Sequence, residues 1–328
     1  MLFLAAALLF MPSCRGADAS PGPDGDPVIT LVYAEAYPMD ALAGQIAAVF
    51  RDKLYELSGG SIIISVRANG IMGSEVQVLG DMISGLGTVH MARISPAALS
   101  AHGAQMSRLL GIPFAFDSRE GFWRFAGGDL AQEFLSESLP LGIRGLFYGE
   151  EGFRHFFTRD AVADIGCFAG MLLRAPADPI MIGIVESMGA HAIAFPMTEL
   201  YSALQNEIVD GGELTILGYE AHALHEVAPN LLLNGHTLSV SQFIISEDVW
   251  QNALSENQRN AITAAAAYTQ DFNRRRVIEA EIESIARLRA AGINITDNVD
   301  PIPWIAAAAP IAEAEAAHMP ALFERLRD

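Results

Sequence analysis

An arginine stands at the end of a short apolar run, in the sequence Met171-Leu172-Leu173-Arg174-Ala175-Pro176. An apolar run that stops at a proline is typical of a buried strand, because proline cannot donate to the next hydrogen bond of a ladder. An arginine at the mouth of such a strand needs an anion. Its planar guanidinium suits a carboxylate held by two parallel hydrogen bonds. The sequence leaves two candidates for that carboxylate, a bound ligand or a neighbouring protein side chain.

The elements after Arg174 predict a unit that can position it. Apolar residues at helical spacing follow up to Gly189, and residues 192–195 form a second short apolar strand. Thr198 is a candidate N-cap for a helix that continues to Gln205. Strand, helix, strand, helix is the order of a parallel βαβ unit, and such units bind ligands at the carboxyl ends of their strands.

The same stretch resembles the DctP-type substrate-binding proteins of tripartite ATP-independent periplasmic (TRAP) transporters. Those proteins carry an aliphatic-Arg-Val/Ala-Pro strand, a Pro-Met-x-x-x-Glu-x-Tyr-x-Ala-Leu-Gln helix and a Val-Asp-Gly-x-Glu-Asn-Pro segment. The matching residues here are Leu173-Arg174-Ala175-Pro176, Pro196 to Gln205, and Val209-Asp210-Gly211-Gly212-Glu213. The resemblance extends over nearly the whole mature chain. It departs at Leu172, where a basic residue is usual, at Leu214, where asparagine is usual, and at Thr215, where proline is usual.

The resemblance implies further residues of a ligand cleft. Gly152-Phe153-Arg154 is similar to the Gly-x-Arg of the family and places a second arginine 20 residues before Arg174. A surface turn is the alternative for Arg154. Glu213 and Leu214 correspond to the Glu-Asn pair, so one amide donor for the ligand is missing and either Arg154 or Arg93 replaces it, or the ligand sits differently.

The first half of the chain supplies the other candidates. Glu35 and Tyr37 follow the predicted first strand at 28–34, either in the cleft or in a solvated loop. Glu75 begins a helix and either contacts the ligand or interacts favourably with the helix dipole. Arg93 lies near the end of an apolar strand at 89–94, where it either binds a second anionic group or neutralises Glu75 or Glu35.

Composition limits the class of protein. The chain has 328 residues, half of them apolar, which is enough for two globular units. The net charge of −19 is unfavourable for binding nucleic acids and anionic membrane faces, so an acidic ligand requires a local cationic pocket. The two cysteines, Cys14 and Cys167, form no Cys-x-x-Cys motif, which argues against a cysteine-based metal cluster or a disulfide framework.

The chain begins with a segment of signal-peptide character. Residues 1–13 are an apolar run too short to span a bilayer comfortably, and Cys14 after Met11-Pro12-Ser13 is similar to a lipobox cysteine. We expect a signal peptide at 1–14 with lipidation of Cys14, and the alternative is ordinary cleavage near Ala17 or Ala19. Residues 15–27 are rich in proline, glycine and small polar residues, which predicts a flexible tether.

The predicted fold class is α/β, a two-lobed periplasmic binding protein type with mixed sheets flanked by helices. Expected strands at 143–148 and 238–246 lie where the chain crosses between the lobes. A capping box at Ser255 and Gln258 opens a helix that runs to Gly292, and the resemblance implies that this long helix spans both lobes. Lobe I is expected at 28–151 and 239–279 and lobe II at 152–238 and 280–328.

The expected function is capture of a small organic acid outside the cytoplasm and its delivery to a TRAP membrane symporter by a monomer. Three arginines favour a dicarboxylate or a keto or hydroxy acid. No cofactor and no catalytic residues are expected. His222 and His225 have the spacing of metal ligands on a helix but lack a third ligand, so no metal site is expected. The alternatives are a periplasmic ligand-sensing module for a sensor kinase and, less favoured, a periplasmic enzyme on the same scaffold.

Overall fold

The computed structural model describes residues 25–327, so the signal segment, Cys14 and most of the predicted tether lie outside the described residues. The described part forms nine strands and twelve α-helices. The strands are β1 Ile29–Ala34, β2 Ile62–Arg67, β3 Met91–Ile94, β4 Ile143–Thr158, β5 Leu172–Ala175, β6 His191–Ala194, β7 Gly211–Thr215, β8 Asn230–Ser246 and β9 Asn294–Thr296.

The helices flank these strands. They are α1 Leu42–Leu57, α2 Glu75–Ile83, α3 Pro96–Ala101, α4 Gln105–Arg108, α5 Arg119–Ala126, α6 Asp129–Ser136, α7 Pro179–Ser187, α8 Leu200–Gln205, α9 Ile216–Ala221, α10 Glu256–Ala290, α11 Ile302–Ala316 and α12 Pro320–Arg327. None of the helices between residues 25 and 327 combines the length and the hydrophobicity required to span a bilayer.

One mixed sheet connects the two lobes. Its order is β2-β1-β3-β8-β4-β7-β5-β6, with β9 paired to β8. Lobe I is built on the parallel strands β2, β1 and β3, and lobe II on the parallel strands β7, β5 and β6. The antiparallel pair β4 and β8 lies between them and belongs to both.

The crossing strands are longer than the sequence predicts. The expected strand at 143–148 continues as β4 to Thr158, and the expected strand at 238–246 begins at Asn230. The register of β4 against β8 shifts between Glu150 and Phe153, where Gly152 has a φ of 96°. This bulge interrupts the alternation of apolar and polar residues that predicts a strand, while the ladder continues on both sides.

The parallel βαβ unit of lobe II is confirmed. Strands β5 and β6 pair in parallel with Arg174 opposite Ile193. Asp178 caps α7 through its side chain and Pro179 occupies the first turn, where its missing N–H costs nothing. The predicted cap at Thr198 is wrong, because Met197–Glu199 form a 3-10 turn and α8 begins at Leu200 without a side-chain cap.

The helix α10 connects the cores of both lobes. Its capping box at Ser255 and Gln258 is present, and its 35 residues give a length of roughly 50 Å at 1.5 Å per residue. Ile262 and Ala265 are fully buried in the core of lobe I, and Leu288 packs in the core of lobe II. Because β4 and β8 link the same lobes, three elements cross between them.

The C-terminal segment returns from lobe II to lobe I. The Trp304 ring lies 5.7 Å from the ring of Phe156 in lobe II. Leu326 of α12 packs instead with Phe134 of lobe I, and Arg325 forms an ion pair of 2.6 Å with Glu133. The helix α12 therefore packs against residues of lobe I, whereas Trp304 of α11 packs against lobe II.

A buried amide joins α10 to the bulge of β4. Asn273, fully buried, accepts a hydrogen bond of 2.8 Å from the backbone N–H of Glu150 and donates one of 3.0 Å to its carbonyl oxygen. The Glu150 side chain is also fully buried, with Arg119 at 2.7 Å and the Trp123 indole N–H at 3.1 Å. Burial raises the pKa of Glu150 to about 7, although Arg119 opposes the shift.

We predict that Asn273→Ala lowers the free energy of unfolding by about 2 to 4 kcal/mol, because it leaves a buried N–H and a buried carbonyl without partners. Urea denaturation followed by circular dichroism measures the change. Asn252→Ala is the matched control, since the Asn252 amide bonds to Asp248 at the surface. Equal midpoints for the two variants would contradict a role of Asn273 in joining the elements.

Candidate functional site

A cavity of about 720 Å³ lies between the lobes and receives side chains from both. Tyr37, Glu75 and Arg93 reach it from lobe I, and Arg174 and Leu214 reach it from lobe II. Residues at or just beyond the carboxyl ends of β1, β3, β5, β6 and β7 therefore meet at one place. This is the position at which α/β sheets bind ligands.

Arg174 is a buried cation that faces the cavity. It is 5% exposed, and its Nε and Nη2 donate to the carbonyl oxygen of Phe195 at 3.0 and 2.9 Å. Its Nη1 lies 3.8 Å from the sulfur of Met197. Between residues 25 and 327 no carboxylate forms an ion pair with this guanidinium. Burial lowers the pKa of Arg174 and the Glu213 carboxylate opposes that shift. An arginine nonetheless stays protonated at neutral pH.

Arg154 lines the same cavity, but its charge is already neutralised. Its Nε and Nη2 donate to the two carboxylate oxygens of Glu213 at 2.5 and 2.8 Å. The antiparallel register of β4 and β7 brings these residues together, because Arg154 lies opposite Thr215 and Phe156 opposite Glu213. Glu213 is fully buried and does not line the cavity, so it holds Arg154 in place from behind.

The Glu213 carboxylate is strongly stabilised in its charged form. Burial by itself raises the pKa of this group, but the Arg154 guanidinium and the imidazole of His236, 3.5 Å away, lower it to about 2. Burial lowers the pKa of His236. The pair of Arg154 and Glu213 is therefore ionised at neutral pH.

Arg93 is surrounded by carboxylates. Its Nη2 lies 2.9 Å from Glu35 and 4.0 Å from Glu75, and its Nη1 lies 2.5 Å from Glu151. The Tyr37 ring lies 5.0 Å from the guanidinium carbon, within the range of a cation–π contact. Of the two alternatives for Arg93, the geometry favours neutralisation of glutamates over binding of a second anionic group.

Glu35 lies behind Arg93 and away from the large cavity. It is 1% exposed, so the solvated loop is not its setting, and it also accepts the backbone N–H of Tyr37. Glu75 begins α2 and lines the cavity, where its Oε2 accepts the N–H of Ser95 at 3.0 Å. Glu75 thus holds the start of α3 while its other oxygen faces Arg93.

Leu214 brings an aliphatic side chain to the cavity wall, and Thr215 has a local structural role. Thr215 is the N-cap of α9, with its hydroxyl accepting the N–H of Gly218. A threonine hydroxyl therefore caps this helix at the position where the family has proline.

The sequence-based candidates do not include Thr237 and Glu151, two polar residues of the cavity wall. Thr237, opposite Arg154 in the β4–β8 register, is 4% exposed, and its hydroxyl has no hydrogen-bond partner among the described residues. Glu151 lies in the bulge of β4 and bonds Arg93. The only feature of the sequence that could have identified Glu151 as a site residue is its position directly before the Gly152-Phe153-Arg154 motif. No feature of the sequence identifies Thr237.

Metal-ligating side chains and cysteines are the other groups of this chain that could carry chemistry. Within residues 25–327 no group of three His, Cys, Asp or Glu side chains has the geometry of a metal site. His222 lies just after α9 and His225 in a separate 3-10 turn, so they do not share a helix face. Cys167 is free and exposed, and Cys14 lies outside the described residues.

Comparison with known proteins gives the family. Residues 33–318 match the DctP family of bacterial extracellular solute-binding proteins, family 7. The chain belongs to this family, which includes the receptors of TRAP transporters. A solute-binding protein of Verminephrobacter eiseniae is 27% identical over 85% of this chain and 82% of its own length. The C4-dicarboxylate-binding periplasmic protein DctP of Rhodobacter capsulatus is 22% identical over 80% of this chain and 78% of its own.

A solved structure confirms the two-lobed fold. The TRAP periplasmic solute-binding protein of Polaromonas sp. JS666, bound to D-erythronate, is 25% identical and superposes with a TM-score of 0.83. The alignment covers 90% of this chain and 97% of that protein. The predicted α/β class with a long helix across both lobes is thereby confirmed.

We predict that Glu213→Gln lowers the free energy of unfolding by about 3 to 5 kcal/mol, because it leaves a buried arginine without its partner. The folded-state pKa of Glu213, about 2, lies below the ordinary 4.5, so its contribution is complete above pH 4.5 and is lost as the pH falls toward 2. The variant should lose stability less steeply than the wild type in that window.

Denaturant titrations at pH 6 and pH 3 measure both effects. Glu133→Gln removes an exposed ion pair and serves as the control that should change neither value much. A variant of Glu213 that keeps the acid sensitivity of the wild type would contradict the assignment.

Proposed function

We propose that the protein is the periplasmic receptor of a TRAP transporter and that it captures a small organic acid by its carboxylate. The observation that supports this proposal is Arg174, a buried cation on the cavity wall whose protein partners are a carbonyl oxygen and a thioether. Burying a charge without a counter-charge is costly. A ligand carboxylate would supply that counter-charge.

A carboxylate buried here needs donors for its remaining lone pairs. Thr237 offers an unpartnered hydroxyl on the same cavity wall. Arg154 lines the wall next to Thr237 in the strand register and uses Nε and Nη2 for Glu213. In our proposal Thr237 and the free edge of Arg154 supply the donors that the family obtains from the asparagine at position 214.

The pairing of the cleft arginines supports a narrower class of acid than the sequence suggested. The three arginines of the sequence favoured a dicarboxylate or a keto or hydroxy acid, but two of them, Arg154 and Arg93, are paired with glutamates. One uncompensated cation favours one ligand carboxylate. The Polaromonas protein was solved with D-erythronate, a hydroxy acid with one carboxylate, which supports the hydroxy-acid branch.

Capture would proceed by hinge closure. We propose lobe I at 28–151 and 239–279 with the addition of α12, and lobe II at 152–238 and 280 to the end of α11. The bulges of β4 and β8 are the candidate hinge points. A ligand that binds Arg174 through its carboxylate and contacts lobe I with its far end would increase the population of the closed conformation.

The proposed partners are the TRAP membrane subunits, which would receive the acid from a monomeric receptor in the periplasm. The family consists of solute receptors, which supports a binding role over an enzymatic one. Attachment through lipidated Cys14 remains a prediction, because that residue lies outside the described part.

We predict that one class of organic acid raises the melting temperature of the protein and that Arg174→Ala abolishes the rise. A ligand at a hundred times its dissociation constant adds about 2.7 kcal/mol to the folded state. Arg174→Lys should retain only part of the effect, because lysine keeps the charge but lacks the planar fork. A thermal-shift screen of small organic acids measures this.

Arg144→Ala is the matched control for that screen. Arg144 also belongs to β4, but it pairs with Glu247 and does not line the cavity. Its variant should respond to the acid like the wild type. A full response in Arg174→Ala would contradict the proposed site.

We further predict that Thr237→Val leaves the unliganded protein as stable as the wild type, because the hydroxyl that it removes has no partner there. Its affinity for the acid should fall about tenfold or more, since hydrogen bonds to charged groups contribute about 1.5 to 3 kcal/mol. Calorimetric titration measures this, and Thr237→Ser should restore the affinity. Unchanged affinity in Thr237→Val would exclude the hydroxyl as a ligand donor.

A further inference from the structure

Around Arg93, on the lobe I side of the cavity, carboxyl groups outnumber cations. Glu35, Glu75 and Glu151 all surround the single guanidinium of Arg93. Arg93 is 4% exposed, so solvent screens this group weakly. The opposite wall carries Arg174 without a carboxylate partner. Two other charged residues line the cavity: Arg108, which is paired with Glu315, and Asp178, whose side chain caps α7. The cavity wall around Arg93 is therefore more negative than the wall around Arg174.

The glutamates of this negative wall have free oxygens that can accept hydrogen bonds. Glu35 has both oxygens in contact with Arg93 and lies outside the large cavity. Glu151 Oε1 accepts a hydrogen bond from Arg93, and Glu151 Oε2 has no hydrogen-bond partner among the described residues. Glu75 Oε2 accepts a hydrogen bond from the backbone N–H of Ser95, and Glu75 Oε1 lies 4.0 Å from Arg93 Nη2. Glu75 and Glu151 both line the cavity, and each has one oxygen that accepts no hydrogen bond from the described residues and that is available to a ligand.

The charge distribution has a direct consequence for a bound molecule. A second ligand carboxylate at this wall would meet two carboxylates, and like charges at close range in a poorly screened site repel strongly. A hydroxyl or ammonium group would instead donate to acceptors that otherwise lack partners. Burial raises the pKa of Glu151, which is consistent with a carboxyl group that lacks a full set of partners.

A second observation connects the wall around Arg174 with this negative wall. Thr237 is 4% exposed with an unpartnered hydroxyl, and it lines the same cavity as Glu151. Thr237 on β8 lies opposite Arg154 on β4, and Arg154 follows Glu151 by three residues on the same strand. A molecule that contacts Arg174 and Thr237 through its carboxylate would therefore extend along β4 toward the negative wall.

We propose that Glu75 and Glu151 form a second subsite that receives a hydrogen-bond donor of the ligand and rejects a second carboxylate. The substrate class is thus a monocarboxylic acid with donor groups, hydroxyl or ammonium, at its far end. This inference rests on the proposed function, because it takes the carboxylate on Arg174 as given. Glu151 becomes a specificity-determining residue of the site.

Matched pairs of acids that differ only at the far carbon test this subsite. D-erythronate and meso-tartrate form one pair, and D-gluconate and D-glucarate form another, with a terminal hydroxymethyl group replaced by a carboxylate in each. Butyrate, 4-hydroxybutyrate and 4-aminobutyrate separate an absent donor, a hydroxyl and an ammonium. Calorimetric titration of the wild type should give at least tenfold tighter binding for the donor-bearing member of the pair that binds.

The variant Glu151→Gln keeps the shape of the side chain and removes its charge. It should weaken the preferred donor-bearing acid and tighten the matched dicarboxylate, so that their affinity ratio falls at least tenfold. Glu247→Gln, which alters a glutamate paired with Arg144 outside the cavity, should leave the ratio unchanged. A stronger effect of Glu151→Gln on 4-aminobutyrate than on 4-hydroxybutyrate would identify ammonium as the donor.

Two results would overturn the subsite. One is a dicarboxylate that binds the wild type as tightly as its hydroxymethyl partner, and the other is a ratio that Glu151→Gln leaves unchanged. Both require that some acid binds through Arg174. Loss of binding of every acid, or binding that survives Arg174→Ala, would instead refute the proposed function, so the two failures are distinguishable.

Discussion

The arrangement of the cleft depends on one buried guanidinium that its own protein leaves without a carboxylate. Arg174 is held by the Phe195 carbonyl, which fixes its orientation but does not neutralise its charge. The other arginines of the cavity wall, Arg93, Arg108 and Arg154, are all paired with glutamates. In a chain with a net charge of −19, a long-range field cannot attract an anion, so local contacts in the cavity must provide its affinity.

The scaffold concentrates the candidate site at the junction of the lobes. Strands β4 and β8 pass through both lobes, and α10 contributes to both cores. Glu151, Arg154 and Thr237 all belong to the crossing pair. A change in the angle between the lobes would therefore move these residues relative to Arg174 and Arg93, which is the coupling that a closing receptor requires.

Local signals in the sequence predicted most of the elements. The apolar run before Pro176 predicted β5, and the Ser255 and Gln258 capping box predicted the start of α10. The full lengths of β4 and β8 were not predictable, because the bulge at Gly152 breaks the alternating pattern that identifies strands. The change of Thr198 from a cap to part of a 3-10 turn depends on packing that the sequence does not display.

The sequence identified the arginines of the site, but it did not identify the glutamates with which they pair. Arg174 and Arg154 could be identified from motif spacing. The bond between Arg154 and Glu213 depends on strand register across 59 residues, which no local pattern encodes. Glu151 and Thr237 were missed for the same reason, since their importance arises from what lies opposite them in the sheet.

The most direct measurement is a crystal structure of the protein with the acid that gives the largest thermal shift. We expect the ligand carboxylate on Arg174, with its oxygens within about 3.2 Å of guanidinium nitrogens. A carboxylate bound at Arg93, or a ligand that leaves Arg174 without an anionic partner, would contradict it.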